Sequence, residues 1–314
     1  MTDLPHHSAL AALVEQVAAD WPEHRAFLDK SMAGRDNRLL AVSEELAAAI
    51  TKLGAVNQGG LSELIADYRF LCEDIVLPEE IHFRRNGAYR LSSFAEAERL
   101  VYADAAFMAR YMSGLLLSDA LWANHARAFD SFARDYLPSL RDKADHLEIG
   151  PGHGMFLAFA ARSPQVRSLT AWDISETSIA HTRSALDTLG VTQPVELVLQ
   201  DMFDASDAPE GGAFDSIVMS EILEHLEDPV AALRAAAQWL RPGGKIWVNV
   251  PANSPAPDHI FLFDGLDHAS AIVREAGLEV HNPHAFPMTG TTLEKAIKHR
   301  LSVTCVLTAS KPAS

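Results

Sequence analysis

The residue pattern with the clearest chemical meaning in this chain is an acid followed by three alternate glycines. Glu148 lies in a short apolar run, and Gly150, Gly152 and Gly154 follow it at every second position. Glycine has no Cβ, so such a loop can adopt positive φ angles and let a ligand contact the backbone. The apolar stretch 155–162 behind the loop predicts a helix whose free N–H groups face the same ligand. The loop therefore predicts a turn that binds a cofactor.

The spacing and charge of this loop narrow the kind of cofactor. The pattern G-x-G-x-G differs from the G-x-G-x-x-G of dinucleotide folds and from the lysine-containing loop that binds phosphates. No Lys or Arg lies between Gly150 and Ala161, whereas Glu148 brings a carboxyl group. These features favour a ligand with a positive charge, such as a sulfonium or an ammonium, over a pyrophosphate. An NAD-dependent oxidoreductase remains a less favoured alternative.

Downstream of the loop, strand-like and helix-like segments alternate, as in an α/β sheet. The predicted strands are 169–172, 195–199, 214–219 and 246–250, and the predicted helices are 175–189 and 229–240. Polar residues follow three of these strands: Asp173, then Asp201 with Met202, then Ser220 with Glu221. Ligands of open α/β sheets bind at the carboxyl ends of strands, so we expect these side chains to share one edge.

Two of these acids suit the parts of a nucleoside. Asp173 lies 23 residues beyond Gly150, about where a nucleotide-binding unit places the acid that accepts hydrogen bonds from ribose hydroxyls. Asp201 is predicted to accept from an adenine amine, and the Met202 thioether to lie on the adenine ring. The alternative for each acid is a solvated residue at a loop end. Their order at successive strand ends favours the binding interpretation.

Taken together, the motifs resemble the series found in class I S-adenosylmethionine-dependent methyltransferases. The matching motifs are E-x-G-x-G-x-G at 148–154, Asp173, Q-D-M at 200–202, F-D at 214–215, E-x-x-E-H at 221–225 and L-R-P-G-G at 240–244. The resemblance covers about residues 140–310. It implies an α/β fold, a doubly wound, mostly parallel sheet of seven strands whose last hairpin is reversed. Segments 278–281 and 301–308 are the candidates for that hairpin.

The resemblance also assigns a cofactor, S-adenosyl-L-methionine, and a set of residues to bind it. It implies that the glycines approach the methionine part of the cofactor and that Glu148 holds its ammonium group through water. The predicted cofactor-binding residues are Glu148, Gly150, Gly152, Gly154, Asp173, Ile174, Asp201, Met202 and Ser220. Ser220 and Glu221 are expected to border the cofactor near the methyl acceptor.

The residues before the loop predict two further parts of the molecule. Residues 1–80 read as a helical domain that serves as a lid or a dimerisation surface, with helical spacing at 43–53 and 61–71. Residues 81–137 are predicted to line the pocket, beginning with a β-hairpin around Asn86-Gly87. A long helical region follows at 94–137 and begins with a capping box of Ser93 and Glu96. Residues 138–314 form the predicted catalytic domain.

Candidates for acceptor binding and catalysis lie in the helical region and in the loops after the fourth and fifth strands. Tyr111, Trp122, Asn124 and Asn253 are predicted to bind the substrate. The predicted catalytic residues are Glu221, His225, His125, Asp258 and His259. A positioned base is useful for methyl transfer, and a carboxylate near His225 would tune its proton affinity. The alternative for His225 is a structural histidine tied to a neighbouring acid, and aromatic residues at helical spacing are most often core.

The histidines do not predict a metal site from the sequence alone. The chain has 14 histidines, and Asp258-His259, Asp267-His268 and His281-x-x-His284 are suggestive pairs. No H-E-x-x-H motif or compact ligand set is present, so we predict no functional metal.

Composition limits the partners and the compartment. The net charge of −16 argues against nucleic acid, because proteins that bind it need a basic surface. The two cysteines, Cys72 and Cys305, form no disulfide framework or metal motif. No run of 18 apolar residues and no basic-then-apolar signal occurs, so a cytoplasmic protein without a membrane partner is expected. A homodimer through the helical domain is a further hypothesis.

These observations favour a methyltransferase that acts on a small-molecule acceptor, in the manner of bacterial natural-product enzymes of secondary metabolism. One alternative uses the same cofactor in an intramolecular reaction that forms azetidine-2-carboxylate and methylthioadenosine. A second alternative is a cofactor-binding scaffold without catalytic activity, against which the intact glycines and acids argue.

Overall fold

The computed structural model describes residues 7–57, 59–204 and 209–313. The α-helices are α1 Ser8–Asp20, α2 Arg25–Met32, α3 Asn37–Val56, α4 Gly60–Phe70, α5 Leu77–Asn86, α6 Phe94–Ala97, α7 Ala105–Leu121, α8 Ala123–Ser131, α9 Met155–Ala160, α10 Glu176–Leu189, α11 Pro229–Trp239, α12 Leu266–Glu275 and α13 Leu293–His299. The strands are β1 Ala144–Ile149, β2 Val166–Asp173, β3 Val195–Leu199, β4 Phe214–Ser220, β5 Leu240–Ala252, β6 Glu279–Pro287 and β7 Val303–Ser310. Short π-helical turns occupy Leu71–Val76, Glu98–Tyr102 and Phe132–Tyr136, and 3₁₀ turns occupy Pro22–His24, Leu137–Ser139 and Leu223–His225.

The N-terminal part is helical, as its apolar spacing predicts. Asp36 caps α3 by accepting a hydrogen bond from the Leu39 amide, and the apolar face of α3 is buried. Helices α4 and α7 cross closely at Gly114, where a Cβ would lie only 2.7 Å from the Asp67 carbonyl oxygen. Ser93 caps α6 by accepting from the Glu96 amide, so this end of the predicted capping box is present.

The predicted β-hairpin at 81–91 is wrong. Residues Leu77–Asn86 form α5, and Gly87 ends it in the left-handed conformation, with φ +71° and its amide donating to the Phe83 carbonyl. Asn-Gly serves a helix C-terminus as well as a two-residue turn, because both need positive φ. Pro78 in the first turn and the Arg84–Glu80 ion pair one turn apart favour the helix.

The seven strands form one sheet in the order β3-β2-β1-β4-β5-β7-β6. The first five strands pair in parallel, and β7 is antiparallel to both β5 and β6. The predicted seven-stranded fold with a reversed last hairpin is thereby confirmed. One boundary differs from expectation: β5 begins at Leu240, ahead of the predicted strand 246–250, and its pairing with β4 shifts register between Phe214 and Ser216.

Helices cover both faces of the sheet. On one face, α11 and α12 pack over Leu147, Ile217 and Val248. On the other face, α1, α3, α4, α7 and α8 share a continuous core with α9 and with Val218 and Trp247 of the sheet. The N-terminal helices therefore lie against the sheet and enclose the space beyond its carboxyl edge. In the part of the chain that the structure describes, no helix is long and apolar enough to cross a membrane.

Candidate active site

A cavity of about 770 Å³ lies at the carboxyl edge of the sheet. Its floor comes from the glycine loop and from the ends of β4 and β5, and its walls come from the N-terminal helices and the loop after β5. The volume falls in the range of about 300–1,000 Å³ that is usual for ligand sites.

The glycine loop turns sharply at the cavity floor. Gly150 has φ +66° and Gly152 has φ +51°. A Cβ on Gly150 would lie 2.3 Å from Cδ1 of Ile222, so the loop after β4 packs directly on this position. The Thr182 hydroxyl donates a hydrogen bond of 2.7 Å to the Gly152 carbonyl and fixes the turn against α10. Both glycines line the cavity, and their positive φ angles favour glycine at these positions.

Glu148 supplies a buried carboxyl group beneath the loop. It is only 2% exposed, and its Oε2 has no hydrogen-bond partner within residues 7–57, 59–204 and 209–313. Burial raises the pKa of this carboxyl well above its ordinary value. A buried acceptor without a donor at the edge of a cavity suits a cationic ligand group, such as the ammonium of an amino acid.

Asp173 lies at the end of β2 and lines the same cavity. Its Oδ1 accepts from the Ser175 amide at 2.9 Å, and its Oδ2 accepts from the Ser178 hydroxyl at 2.6 Å. These bonds fix the carboxylate, and each oxygen keeps a second lone pair for a ribose hydroxyl.

Four predicted cofactor residues lie outside the cavity lining: Gly154, Ile174, Asp201 and Met202. Gly154 precedes α9 with φ +70°, and Ile174 is 61% exposed. Met202 is buried in the core, and Asp201 accepts from the Phe203 amide at 2.9 Å. Their binding roles remain predictions.

Two glutamates follow β4 at the centre of the cavity. Glu221 has φ +53°, and its amide donates to the Asn249 carbonyl on β5 at 2.9 Å. Burial and the charge of Asp119 raise the pKa of Glu221 to about 8. Glu224, in the following 3₁₀ turn, is fully buried, and both carboxyl oxygens lack a hydrogen-bond partner among the described residues. Burial raises the pKa of Glu224 well above its ordinary value, and neighbouring Glu221 adds to this.

Two histidine rings face Glu224. Nε2 of His225 lies 3.6 Å and Nε2 of His259 lies 4.0 Å from Oε1 of Glu224. Asp258 lies behind them: its carbonyl is 3.1 Å from Nδ1 of His225, and its carboxylate accepts from the Tyr111 hydroxyl at 3.1 Å. Three predicted catalytic residues are thus adjacent, and Glu221 lines the same cavity.

A second acid–histidine group also lines the cavity. Nε2 of His153, within the glycine loop, is 3.1 Å from Oδ2 of Asp119 on α7. His125 lies 3.9 Å from the other oxygen of Asp119, and its Nδ1 is 2.9 Å from the Ser118 hydroxyl. Sequence reasoning selected His125 but missed Asp119 and His153. An acid within the apolar run of α7 and a histidine inside the glycine motif were the available signals.

Three of the four predicted substrate residues line the cavity. Tyr111 contacts Asp258, Asn124 donates to the Thr304 hydroxyl at 3.0 Å, and the Trp122 indole N–H donates to the Tyr68 hydroxyl at 2.9 Å. Asn253 lies outside the cavity lining, where its side-chain amide donates to the Asp264 carbonyl and its oxygen accepts from Arg300, and its substrate role remains a prediction. These bonds hold the loop after β5, and neighbouring Ser254 lines the cavity instead.

Comparison with known proteins agrees with this geometry. A family model described as a methyltransferase domain matches residues 121–300, more than half of the chain. A ubiquinone biosynthesis O-methyltransferase of Xanthomonas oryzae pv. oryzae is 32% identical over 124 residues, which are 39% of this chain and 50% of that protein. The corresponding protein of Xanthomonas axonopodis pv. citri is 33% identical over 110 residues, covering 35% and 44% of the two chains. The chain spans about half the length of the curated relatives it matches.

Solved structures with a similar arrangement include two methyltransferases. An N-methyltransferase from Bradyrhizobium japonicum superposes with a TM-score of 0.44 and 20% identity, over 59% of this chain and 94% of that one. A methyltransferase from Aquifex aeolicus gives a TM-score of 0.43 and 15% identity, over 58% and 87%.

Proposed function

Because the chain belongs to the methyltransferase-domain family, with S-adenosylmethionine as its cofactor, we propose that it transfers a methyl group to a small-molecule acceptor. S-adenosylmethionine supplies a methyl group that its sulfonium has already activated. The protein must therefore bind the cofactor, orient the acceptor, exclude water and remove a proton where the acceptor carries one.

The observation that carries this proposal is a single cavity with two chemically different ends. One end holds the glycine loop, the unpartnered Glu148 carboxyl and Asp173. The other end holds Glu221, His225 and His259, and side chains of the N-terminal helices line it as well. A cofactor alone would need only the first end, so the second end favours an acceptor beside it.

We assign the binding residues from their geometry. The backbone at Gly150 and Gly152 and the Glu148 carboxyl would hold the methionine part, and Asp173 would accept from the ribose hydroxyls. Ser220 receives a hydrogen bond of 3.1 Å from the Asn249 amide, so it is a fixed polar group at the boundary with the acceptor. Asp201 and Met202 keep the adenine assignment as a proposal.

The acceptor end favours an oxygen nucleophile. The Xanthomonas relatives are named O-methyltransferases, and Glu221, a carboxyl with a pKa of about 8, lines this end of the cavity. A base whose pKa is near neutrality is suited to take a proton at physiological pH. In this assignment the acceptor oxygen forms the bond to the methyl carbon, the carbon–sulfur electron pair stays on sulfur, and the proton passes to Glu221.

Product analysis tests the proposal. The protein is incubated with S-adenosylmethionine and a panel of phenols, catechols and hydroxy acids, and the products are identified by mass spectrometry. We expect S-adenosylhomocysteine in an amount equal to the methylated acceptor, with a loss of turnover in Glu221→Gln.

Two outcomes would overturn this function. Methylthioadenosine formed without any acceptor would identify the intramolecular cyclisation instead. Tight cofactor binding without any turnover over the whole panel would identify a non-catalytic scaffold.

A further inference from the structure

We propose that Glu224, His225 and His259 form a binding site for a divalent transition-metal ion at the acceptor end of the cavity. One ligand atom from each of these residues lies within 4.8 Å of the other two. Two imidazole nitrogens and one carboxylate oxygen form the facial set that binds such ions and leaves other positions open.

The hydrogen bonds behind the two rings direct their free nitrogens at Glu224. Nδ1 of His259 is 2.7 Å from the Ser254 carbonyl, and Nδ1 of His225 is 3.1 Å from the Asp258 carbonyl. A carbonyl only accepts hydrogen bonds, so each Nδ1 carries the proton and each Nε2 carries a lone pair. Metal-binding histidines are typically oriented in this way by a carbonyl or carboxylate behind the ring.

The two Nε2 lone pairs and the Glu224 carboxyl therefore converge on one point. The separations of 3.6 and 4.0 Å from Oε1 of Glu224 are too long for hydrogen bonds. Two ligand atoms that each lie about 2.1 Å from one ion are about 3.0 Å apart at neighbouring octahedral positions and about 3.4 Å apart at tetrahedral positions. The two separations from Oε1 exceed these values, and all three ligand atoms lie within 4.8 Å of one another, so side-chain rotations toward a common centre would complete the site.

The burial of Glu224 is an independent argument for a cation. Its carboxyl group is fully buried, no amide, hydroxyl or basic group within the described ranges donates to it, and the Glu221 carboxyl lies beside it. Leaving such a group unpaired is costly, and a bound cation would offset that cost. Because the site also lines a cavity, an incoming ligand can reach its open positions.

Backbone hydrogen bonds hold the loop that carries His259 against the turn that carries Glu224 and His225. The Glu224 carbonyl accepts from the amides of both Ile260 and Phe261, at 2.9 Å each. These bonds attach the loop after β5 to the 3₁₀ turn after β4, so His259 is held beside Glu224 and His225.

The metal would act on the acceptor. If the proposed function is correct, an acceptor hydroxyl would bind at an open position of the ion, which lowers the pKa of that hydroxyl. Its proton would pass to Glu221, which lies beside Glu224. The inference thus narrows the acceptor class to small molecules with a hydroxyl that can coordinate a metal, such as a catechol or a hydroxy acid.

Cobalt titration tests the site directly. Chelator-treated full-length protein is titrated with Co²⁺, and visible absorption reports coordination while equilibrium dialysis gives the stoichiometry. We expect one ion per chain. Glu224→Gln and His259→Gln should each weaken binding by more than the roughly 10- to 100-fold that loss of a supporting residue costs. His284→Gln, an exposed histidine on β6, is the matched control and should bind as wild type.

Parallel titrations with S-adenosylhomocysteine separate this inference from the proposed function. A variant that retains S-adenosylhomocysteine binding but loses Co²⁺ is folded and supports the site. Wild-type protein that binds S-adenosylhomocysteine but no Co²⁺, or unchanged Co²⁺ affinity in both variants, would overturn the metal site alone. Co²⁺ binding without any S-adenosylhomocysteine binding would contradict the proposed function alone.

Discussion

At the scale of single residues, the sequence predicted the roles of side chains best where an acid lies at the end of a strand. Asp173 and Glu148 line the cavity as expected, because the carboxyl ends of neighbouring parallel strands meet at one edge. The sequence could not predict the hydrogen-bond partners of these acids. That Ser175 and Ser178 hold Asp173, whereas Glu148 keeps an unpartnered oxygen, depends on how α10 and β1 pack in three dimensions.

The ribose assignment of Asp173 leads to a residue-scale prediction. Asp173→Ala removes a charged acceptor, and each such hydrogen bond contributes about 1.5–3 kcal/mol, so S-adenosylhomocysteine affinity should fall at least about tenfold. Isothermal titration calorimetry measures this change. Asp187→Ala, an exposed change on α10, the helix that follows Asp173, should leave the affinity unaltered. Equal affinities for wild type and Asp173→Ala would contradict the ribose assignment.

At the scale of elements, the spacing of apolar residues predicted most helices and strands. One element, α5, was predicted as a β-hairpin because its Asn-Gly pair fits either structure. Asn86-Gly87 suits a hairpin and a helix end equally, and only the packing of α5 decides between them. His225 and His259 were predicted as catalytic residues, but their convergence on Glu224 was not predicted, for a related reason. His259 lies 34 residues along the chain from His225, in a loop whose position depends on the bonds to the Glu224 carbonyl.

A hydrogen-bonded chain across the cavity wall gives a prediction at the element scale. The Trp122 indole donates to the Tyr68 hydroxyl, which lies 2.9 Å from Nε2 of His24, whose pKa is lowered by burial to about 4. Tyr68→Phe strands the indole N–H and the imidazole nitrogen, so the free energy of unfolding should fall by about 1–3 kcal/mol.

Urea denaturation measures this loss, and a double-mutant cycle with Trp122→Phe controls for packing. The two changes should be non-additive, because they remove the same bond. Strict additivity would show that α4 and α7 are not coupled through this contact.

At the scale of the whole molecule, the helical N-terminal region and the sheet share one core, which the sequence could not show. Periodicity identified helices in residues 1–80 but not the face that they cover. Their packing on the sheet places Trp21, His24 and Phe27 in the cavity wall. This arrangement supports the proposal that the region is a lid over the acceptor, and dimerisation remains a proposal.

Buried histidines predict how stability depends on pH. His146 is fully buried on β1, where burial lowers its pKa to about 3, from 6.5 in the unfolded chain. The folded state therefore favours the neutral ring. This contribution is fully present above pH 6.5 and is lost as the pH falls from 6.5 toward 3, by about 1.4 kcal/mol per unit.

Urea denaturation between pH 7 and pH 5 measures whether the free energy of unfolding falls as the pH falls. His146→Gln should reduce the pH slope of the unfolding free energy, by an amount that grows to about 1.4 kcal/mol per unit as the pH nears 5, and exposed His284→Gln should not change it. An unaltered slope in His146→Gln would show that the unfolded and folded states protonate His146 alike.

The proposal that one cavity holds the cofactor at one end and an acceptor at the other is tested by a crystal structure of the complex with S-adenosylhomocysteine. That structure shows where the two ends of the cavity meet. We predict the amino acid part at the glycine loop and Glu148, the ribose on Asp173, and the sulfur facing open space beside Glu221 and His225. A nucleoside bound elsewhere, or a sulfur facing a closed wall with no room for an acceptor, would contradict the account.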